Sequence, residues 1–234
     1  EKEYARQKQI KIAQEKAIAD RIALERDPKY IAKIKNQKLR AKYDLNSFIE
    51  QPFFSMLMDI LRRVDAGNRL NEKDVLWLST DGEDFYSEKL KSSYHSNEAQ
   101  YYANEFIKSQ DPWQAINASS HYRKSNKATI ADKLLSPINI EKWKSSKKIK
   151  SAFFTTQGGV KRDIGCKDEA IILGKKAHDL MDNDFRPCTL IGAVYMETNC
   201  FDLGQEWYSK AVARGASERV IDSDLRSIFV RSNK

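Results

Sequence analysis

One unit of 34 residues is written twice between Ser151 and Glu218, and this repetition limits what the chain can fold into. Shifted by 34, Thr155 falls on Thr189, Gly158 on Gly192, Val160 on Val194 and Cys166 on Cys200. Asp168 likewise meets Asp202, Lys176 meets Lys210 and Ala177 meets Ala211, with no gap. A fixed period of this length predicts a stacked array of helical hairpins, in which each unit buries the apolar face of its neighbour. Gly158 and Gly192 then leave room for a partner helix to approach the backbone. Ala170 and Gly204 are the small residues where the second helix crosses the first, and Tyr208 and Ala211 face the seam. Gly165 and Asn199 stand between the two helices of each unit, where a left-handed residue ends the first helix.

In the second unit Ile191, Gly192, Tyr195, Gly204, Tyr208 and Ala211 occupy alternating large and small slots. On these residues the chain resembles the tetratricopeptide repeat family over about residues 151–218, and more weakly from 111. The first unit departs from that pattern with Lys161 where a Tyr is usual and Gly174 where a large aromatic is usual. Ala216 replaces the usual Pro at the end of the second. The resemblance implies a groove lined by the first helix of each unit. Carried over, its positions are Thr155, Gly159, Arg162 and Asp163 in one unit and Thr189, Ala193, Met196 and Glu197 in the next. These are not the Lys/Asn set with which some members grip a C-terminal carboxylate. A mixed-charge groove with small residues suits a helical or extended peptide.

The rest of the chain fits an all-α fold: a long basic N-terminal helix, then a helical domain ending in the hairpin array. Nine Gly and five Pro among 234 residues mean few tight turns, and a 41% hydrophobic fraction supports a packed interior. Residues 1–44 read as a basic helical arm or coiled coil, 45–110 as a helical domain, and 111–234 as the repeats with a C-terminal capping helix. From Glu1 to about Arg26 there is neither Gly nor Pro, and Ile10, Ala13, Ala17 and Leu24 recur at near-helical spacing. The thin apolar side of this segment suits a projecting arm, a coiled-coil strand through which the chain could form an oligomer, or the end of a longer upstream helix. Pro28 opens the next helix, to Lys42. Pro52–Ala66 is strongly apolar with Gly67 as its stop, and Asn71 with Asp74 starts a short helix. Phe85–Lys108 reads as a long Tyr-rich helix, and Asp111-Pro112 opens one to about Lys124. Asn126 and Ala131 repeat the spacing of Gly165 and Ala170, which suggests a degenerate first hairpin with about five residues inserted near Ser136-Pro137 or in Lys142–Lys150. Ser217 can cap a final helix, Glu218–Phe229.

Candidate chemistry is sparse. Cys166, His178, Cys188 and Cys200 lack the close pairs of a zinc site, so no metal is expected. The segment from Thr155 to Arg162 looks like a phosphate loop but lacks the G-x4-G-K-[ST] pattern, and no G-x-S-x-G elbow exists. The acidic group Asp81, Glu83 and Asp84 lacks the alternating ligands of a calcium loop. No enzyme activity and no cofactor are expected of this segment. With no initial Met, the segment is expected to be an excerpt of a longer chain. Three Cys suggest a reducing, cytoplasmic setting, and no apolar run reaches membrane-spanning length.

The formal charge of +8 is uneven: residues 1–42 hold 13 Lys/Arg against 6 Asp/Glu. Lys29, Lys33, Lys35, Lys38, Arg40 and Lys42 follow one another with no acid between them, and Lys142, Lys144, Lys147 and Lys148 surround Trp143. Clustered cations with interleaved aromatics suit phosphate backbones and unpaired bases. Two function classes follow. One is a non-catalytic interaction module for a protein or peptide. The alternative is a nucleic-acid-binding accessory domain of a larger nuclease- or helicase-type enzyme, using the basic arm.

Overall fold

The computed structural model describes residues 2–232, with the side chains of residues 3–4 and 6–230; Glu1, the expected first helical residue, lies outside them. Every regular element among the described residues is helical, and the chain divides into two units, 1–90 and 91–234.

In the first unit α1 (Lys2–Arg26) is exposed at every described side chain, Ile10, Ile18 and Leu24 included. Asp27 accepts from the Lys29 amide at 2.9 Å and Pro28 opens α2 (Pro28–Lys42), so the Asp-Pro pair ends one helix and starts the next. α3 (Gln51–Asp65) buries Leu57, Ile60, Leu61 and Val64 of the stripe that its spacing predicts, together with Met58, while Phe53 and Met56, expected on the same stripe, are half-buried. Gly67, at φ 77°, then turns the chain. Asn71 and Asp74 form a reciprocal capping box on α4 (Glu72–Leu78), and Arg63 holds the buried Asp74 carboxylate.

The expected helix from Phe85 begins at Glu88 as α5 (Glu88–Ser109). Glu83–Phe85 instead forms a 3₁₀ turn that stacks Phe85 on Trp77, with ring centroids 6.1 Å apart, and the Ser87 hydroxyl accepts from the Leu90 amide. The unit boundary also falls at Leu90 rather than near 110. The reason is packing: Ala99, Ala103 and Phe106 of α5 share a core with Ala115, Tyr122, Leu135, Phe153 and Val160. Tyr101 of the same helix is 39% exposed.

The second unit continues through three hairpins and a last helix. They are α6 (Pro112–Lys124) with α7 (Ala128–Leu135), α8 (Lys147–Asp163) with α9 (Lys167–Leu180), α10 (Phe185–Glu197) with α11 (Phe201–Ala213), and α12 (Glu218–Ser232). Within each hairpin the helices pack on each other, and α6, α8, α10 and α12 also follow side by side. Each hairpin turn uses the same device. Asn126, Gly165 and Asn199 have φ of 58°, 88° and 60°. Their amides return to the Arg123, Arg162 and Met196 carbonyls, and the next amide in each turn reaches back five residues, to Tyr122, Lys161 and Tyr195. The long connection from Ser136 to Ser146, with a 3₁₀ turn at Ile140–Lys142, holds the residues inserted relative to the 34-residue period.

The two full hairpins close at the same point. A methyl group on Gly158 would lie 3.2 Å from the Ala170 carbonyl oxygen, and one on Gly192 would lie 3.2 Å from the Gly204 carbonyl oxygen. The two departures of the first unit also have local reasons. Gly174 lets α10 close in, since a methyl there would sit 2.6 Å from Ile191 Cγ1. Lys161, largely enclosed, bridges Asp132 of α7 and Glu169 of α9 at 3.1 Å each. Burial pulls its pKa down, but the bonds from Glu169 and Asp132 outweigh this and hold it above the ordinary lysine value.

A candidate binding trough along the first helices

Ion pairs run from one first helix to the next. Arg123 of α6 donates through Nε to Asp163 of α8 at 2.6 Å and through Nη2 at 3.3 Å. Arg162 of α8 donates through Nε to Glu197 of α10 at 2.9 Å, and its Nη2 reaches Asp224 of α12 at 3.4 Å. Lys167 binds the other oxygen of Glu197, and Tyr208 donates to Asp224 at 2.7 Å. Gly159 takes part in this arrangement: a methyl there would fall 2.2 Å from Arg123 Nη1, so the bare backbone makes room for the guanidinium. The Thr155–Arg162 segment therefore lies inside a helix and is no phosphate loop.

Two hollows open beside this line, both with Arg162 in their walls. The larger, about 860 Å³, is lined by Asp163, Met196 and Glu197 and by the apolar side chains of Phe201, Ile228 and Phe229. Phe201 is 59% and Phe229 69% exposed. The smaller, about 180 Å³, is lined by Thr155, Gly159, Arg123, Arg186, Thr189 and Asp224. Of the eight positions expected to line a groove, Thr155, Gly159, Arg162, Asp163, Thr189, Met196 and Glu197 thus border one hollow or the other. Ala193 is fully buried instead, in the core that α11 and α12 share with α10. Arg162 and Glu197 also turn largely inward, with side chains 9% and 12% exposed, so they form the floor and not the rim. The sequence alone does not single out Arg123, Arg186, Asp224, Phe201 and Phe229: Arg123 and Asp224 find their partners in other helices, Arg186 meets only Asp184 at its own helix cap, and the two phenylalanines are exposed.

The basic positions are split. Lys29, Lys33, Lys35 and Lys38 are exposed along α2. Arg40 instead donates to the Ser47 carbonyl at 3.3 Å and lies over the Phe54 ring, while Lys42 pairs with Asp65. In the second run Lys142, Lys144, Lys147 and Lys148 are exposed. Trp143 is half-buried and stacks on Phe106, centroids 6.3 Å apart.

The cysteines sit apart. Cys166 and Cys200 occupy matching positions before α9 and α11, half-buried and exposed respectively. Cys188 is buried in α10 with its sulfur 3.7 Å from His178 Nδ1, and burial pushes its thiol up. Among the described residues, no three His, Cys, Asp or Glu side chains gather as a metal-ligand group, and no helix is long and apolar enough to cross a membrane. A second polar pair joins α5 and α6: His95 and His121 meet Nδ1 to Nδ1 at 3.0 Å. Burial, then the charges of His121 and Lys124, lower the His95 pKa to about 4 against a smaller opposing effect of Glu98.

Compared with known proteins, the sequence matches no family model, and no curated protein is significantly similar to it.

Proposed function

We propose that the second unit is a non-catalytic, tetratricopeptide-like interaction module that receives a segment of a partner protein along α8, α10 and α12. One observation supports this most directly: positions expected to face a ligand, taken from both copies of the repeat, border two hollows that share Arg162. The larger hollow brings two exposed phenylalanines beside a buried ion-pair floor, a combination that suits an apolar anchor residue of an incoming helix or strand. Selection of a displayed random-peptide library on the immobilised protein tests the reading. Enriched peptides should lose most of their binding to Phe201→Asp and Phe229→Asp, both surface changes that leave the fold intact. Peptides that bind these variants as well as the parent would place the contact elsewhere.

A second reading concerns the first unit. Lys29, Lys33, Lys35 and Lys38 stand exposed on a helix without an acid, which favours a nucleic-acid backbone or another polyanion as a contact for α2. Log affinity for single-stranded nucleic acid should then fall with log salt by roughly 0.7–0.9 per phosphate met. Replacing the four lysines by Gln should remove that slope while keeping the helix; a slope that survives would exclude α2.

A further inference from the structure

The smaller hollow indicates which side chain the trough accepts, an inference that rests on the trough being a binding surface. Three consecutive first helices each send one arginine to its wall: Arg123 from α6, Arg162 from α8 and Arg186 from α10, with Asp224 of α12 as the one carboxylate lining it. Each guanidinium already has an acid on part of its fork, Asp163 on Arg123, Glu197 on Arg162 and Asp184 on Arg186, so the wall offers spare N–H donors and no surplus of charge. Arg123 and Arg162 bind those acids through Nε and Nη2, which leaves an Nη1 on each. Arg186 is the least committed, 68% exposed and only 3.4 Å from its own helix cap, Asp184. Asp224 is also a loose ligand for Arg162, since 3.4 Å exceeds the roughly 2.7–2.9 Å of a good charge-assisted bond, while its other oxygen is held by Tyr208 at 2.7 Å. A hollow of about 180 Å³ has room for about six waters, enough for a carboxylate or phosphoryl group. The planar fork of arginine matches either oxyanion.

We infer that this hollow binds the oxyanion of an acidic or phosphorylated side chain in the partner segment. Arg186 and Arg123 close on the ligand, Arg162 forms the back of the site, and the ligand replaces Asp224 on the Arg162 guanidinium. Asp224 acts as a resident competitor that satisfies Arg162 when the trough is empty.

The test uses the whole chain titrated with inorganic phosphate and, separately, with acetate at constant ionic strength, read from the arginine Nε–H resonances. Saturable shifts are expected. Arg186→Gln should weaken binding about tenfold, as expected for the loss of one charge-assisted contact. Asp224→Asn should strengthen it several-fold by removing the competitor, and Lys175→Gln, an exposed change on α9, should leave it alone. Preference for phosphate over acetate identifies a phosphorylated partner, and equal binding an acidic one. Shifts that never saturate, or that Arg186→Gln leaves unchanged, overturn the inference. If Asp224→Asn loosens α12 in circular dichroism, the exposed Arg186→Gln decides alone. Library-selected peptides that depend on Phe201 and Phe229 while phosphate fails to bind would leave the trough standing without this site.

Discussion

Replacing Arg162 isolates the contribution of the ion-pair floor. Its side chain is 9% exposed, Glu197 is 12% exposed, and the guanidinium reaches the Glu197 carboxylate at 2.8–2.9 Å and Asp224 at 3.4 Å. Removing one partner of a buried pair costs about 3–5 kcal/mol when the other charge is stranded. Here Arg162→Met leaves Glu197 with Lys167, whose side chain is 29% exposed, and Asp224 with the Tyr208 hydroxyl. The loss should therefore fall to about 2–3 kcal/mol, below the stranded-charge range. Glu197→Leu should cost about 2 kcal/mol, because Arg162 keeps only the long contact to Asp224 while Lys167 turns outward. Together, Arg162→Met and Glu197→Leu replace an ion pair by apolar groups, and about 1–2 kcal/mol of loss is expected. The cycle then yields a coupling of about 2–4 kcal/mol. Urea unfolding followed by tryptophan fluorescence measures it, since Trp113, Trp143 and Trp207 all lie in the second unit. Single losses that add to the double loss within about 0.5 kcal/mol would refute the buried-pair account. The same geometry makes a charge exchange a poor probe of binding. Arg162→Glu would set a carboxylate against Asp224, and Glu197→Arg would set a guanidinium against Lys167.

The other predictions concern the His pair and the hairpin scaffold. His95 has a folded pKa of about 4 against an ordinary 6.5, so below pH 6.5 the unfolded chain takes up a proton that the folded one refuses. Stability should be full above about pH 6.5 and fall as the pH drops towards 4; His95 is only partly buried, so solvent screening discounts the loss to about 1–2 kcal/mol. His95→Gln should flatten urea midpoints over that window, and an unchanged slope would exclude His95 as the source. Gly158→Val and Gly192→Val should each cost about 2–3 kcal/mol, because both push against a backbone carbonyl at the crossing of two helices. Thermal melts that spare one of the two would show that the hairpins close differently. Gly165→Ala should cost about 1 kcal/mol through its φ of 88°, with nothing nearby to clash. Gly165→Asn should cost less, as Asn holds the same place at 126 and 199; equal losses would argue against that equivalence.

Local signals wrote much of the fold into the sequence. Asp27-Pro28 and Asp111-Pro112 cap the helices that follow them, and Asn71 with Asp74 makes its box, because these devices need only neighbours in the chain. The left-handed turns at Gly165 and Asn199 were legible for the same reason, and the repeat extended them to Asn126. What stayed hidden depends on distant partners. Phe85 leaves the helical register to stack on Trp77, and Trp143 turns to Phe106 although lysines surround it in sequence. Ala193 has the size for a groove wall, but the contribution of α11 and α12 to its surroundings covers it.

The ion-pair line was nonetheless present in the repeat register. The offset of 39 that carries Asn126 onto Gly165 also carries Arg123 onto Arg162, and the offset of 34 carries Asp163 onto Glu197. An arginine in one slot therefore meets an acid one residue further on in the next unit's matching turn: Arg123 with Asp163, then Arg162 with Glu197. Met196 stands where the third arginine would be, beside the larger, apolar hollow, so the line stops there and the wall changes character. Asp224 supplies a terminal acid from α12, outside the period, and lies in the hollow where the inferred oxyanion would sit. A regular array would have spaced its charges evenly along the trough. The break at Met196 instead gives one end an arginine-rich recess and the other an apolar one, and this asymmetry would fix the direction in which a guest segment lies.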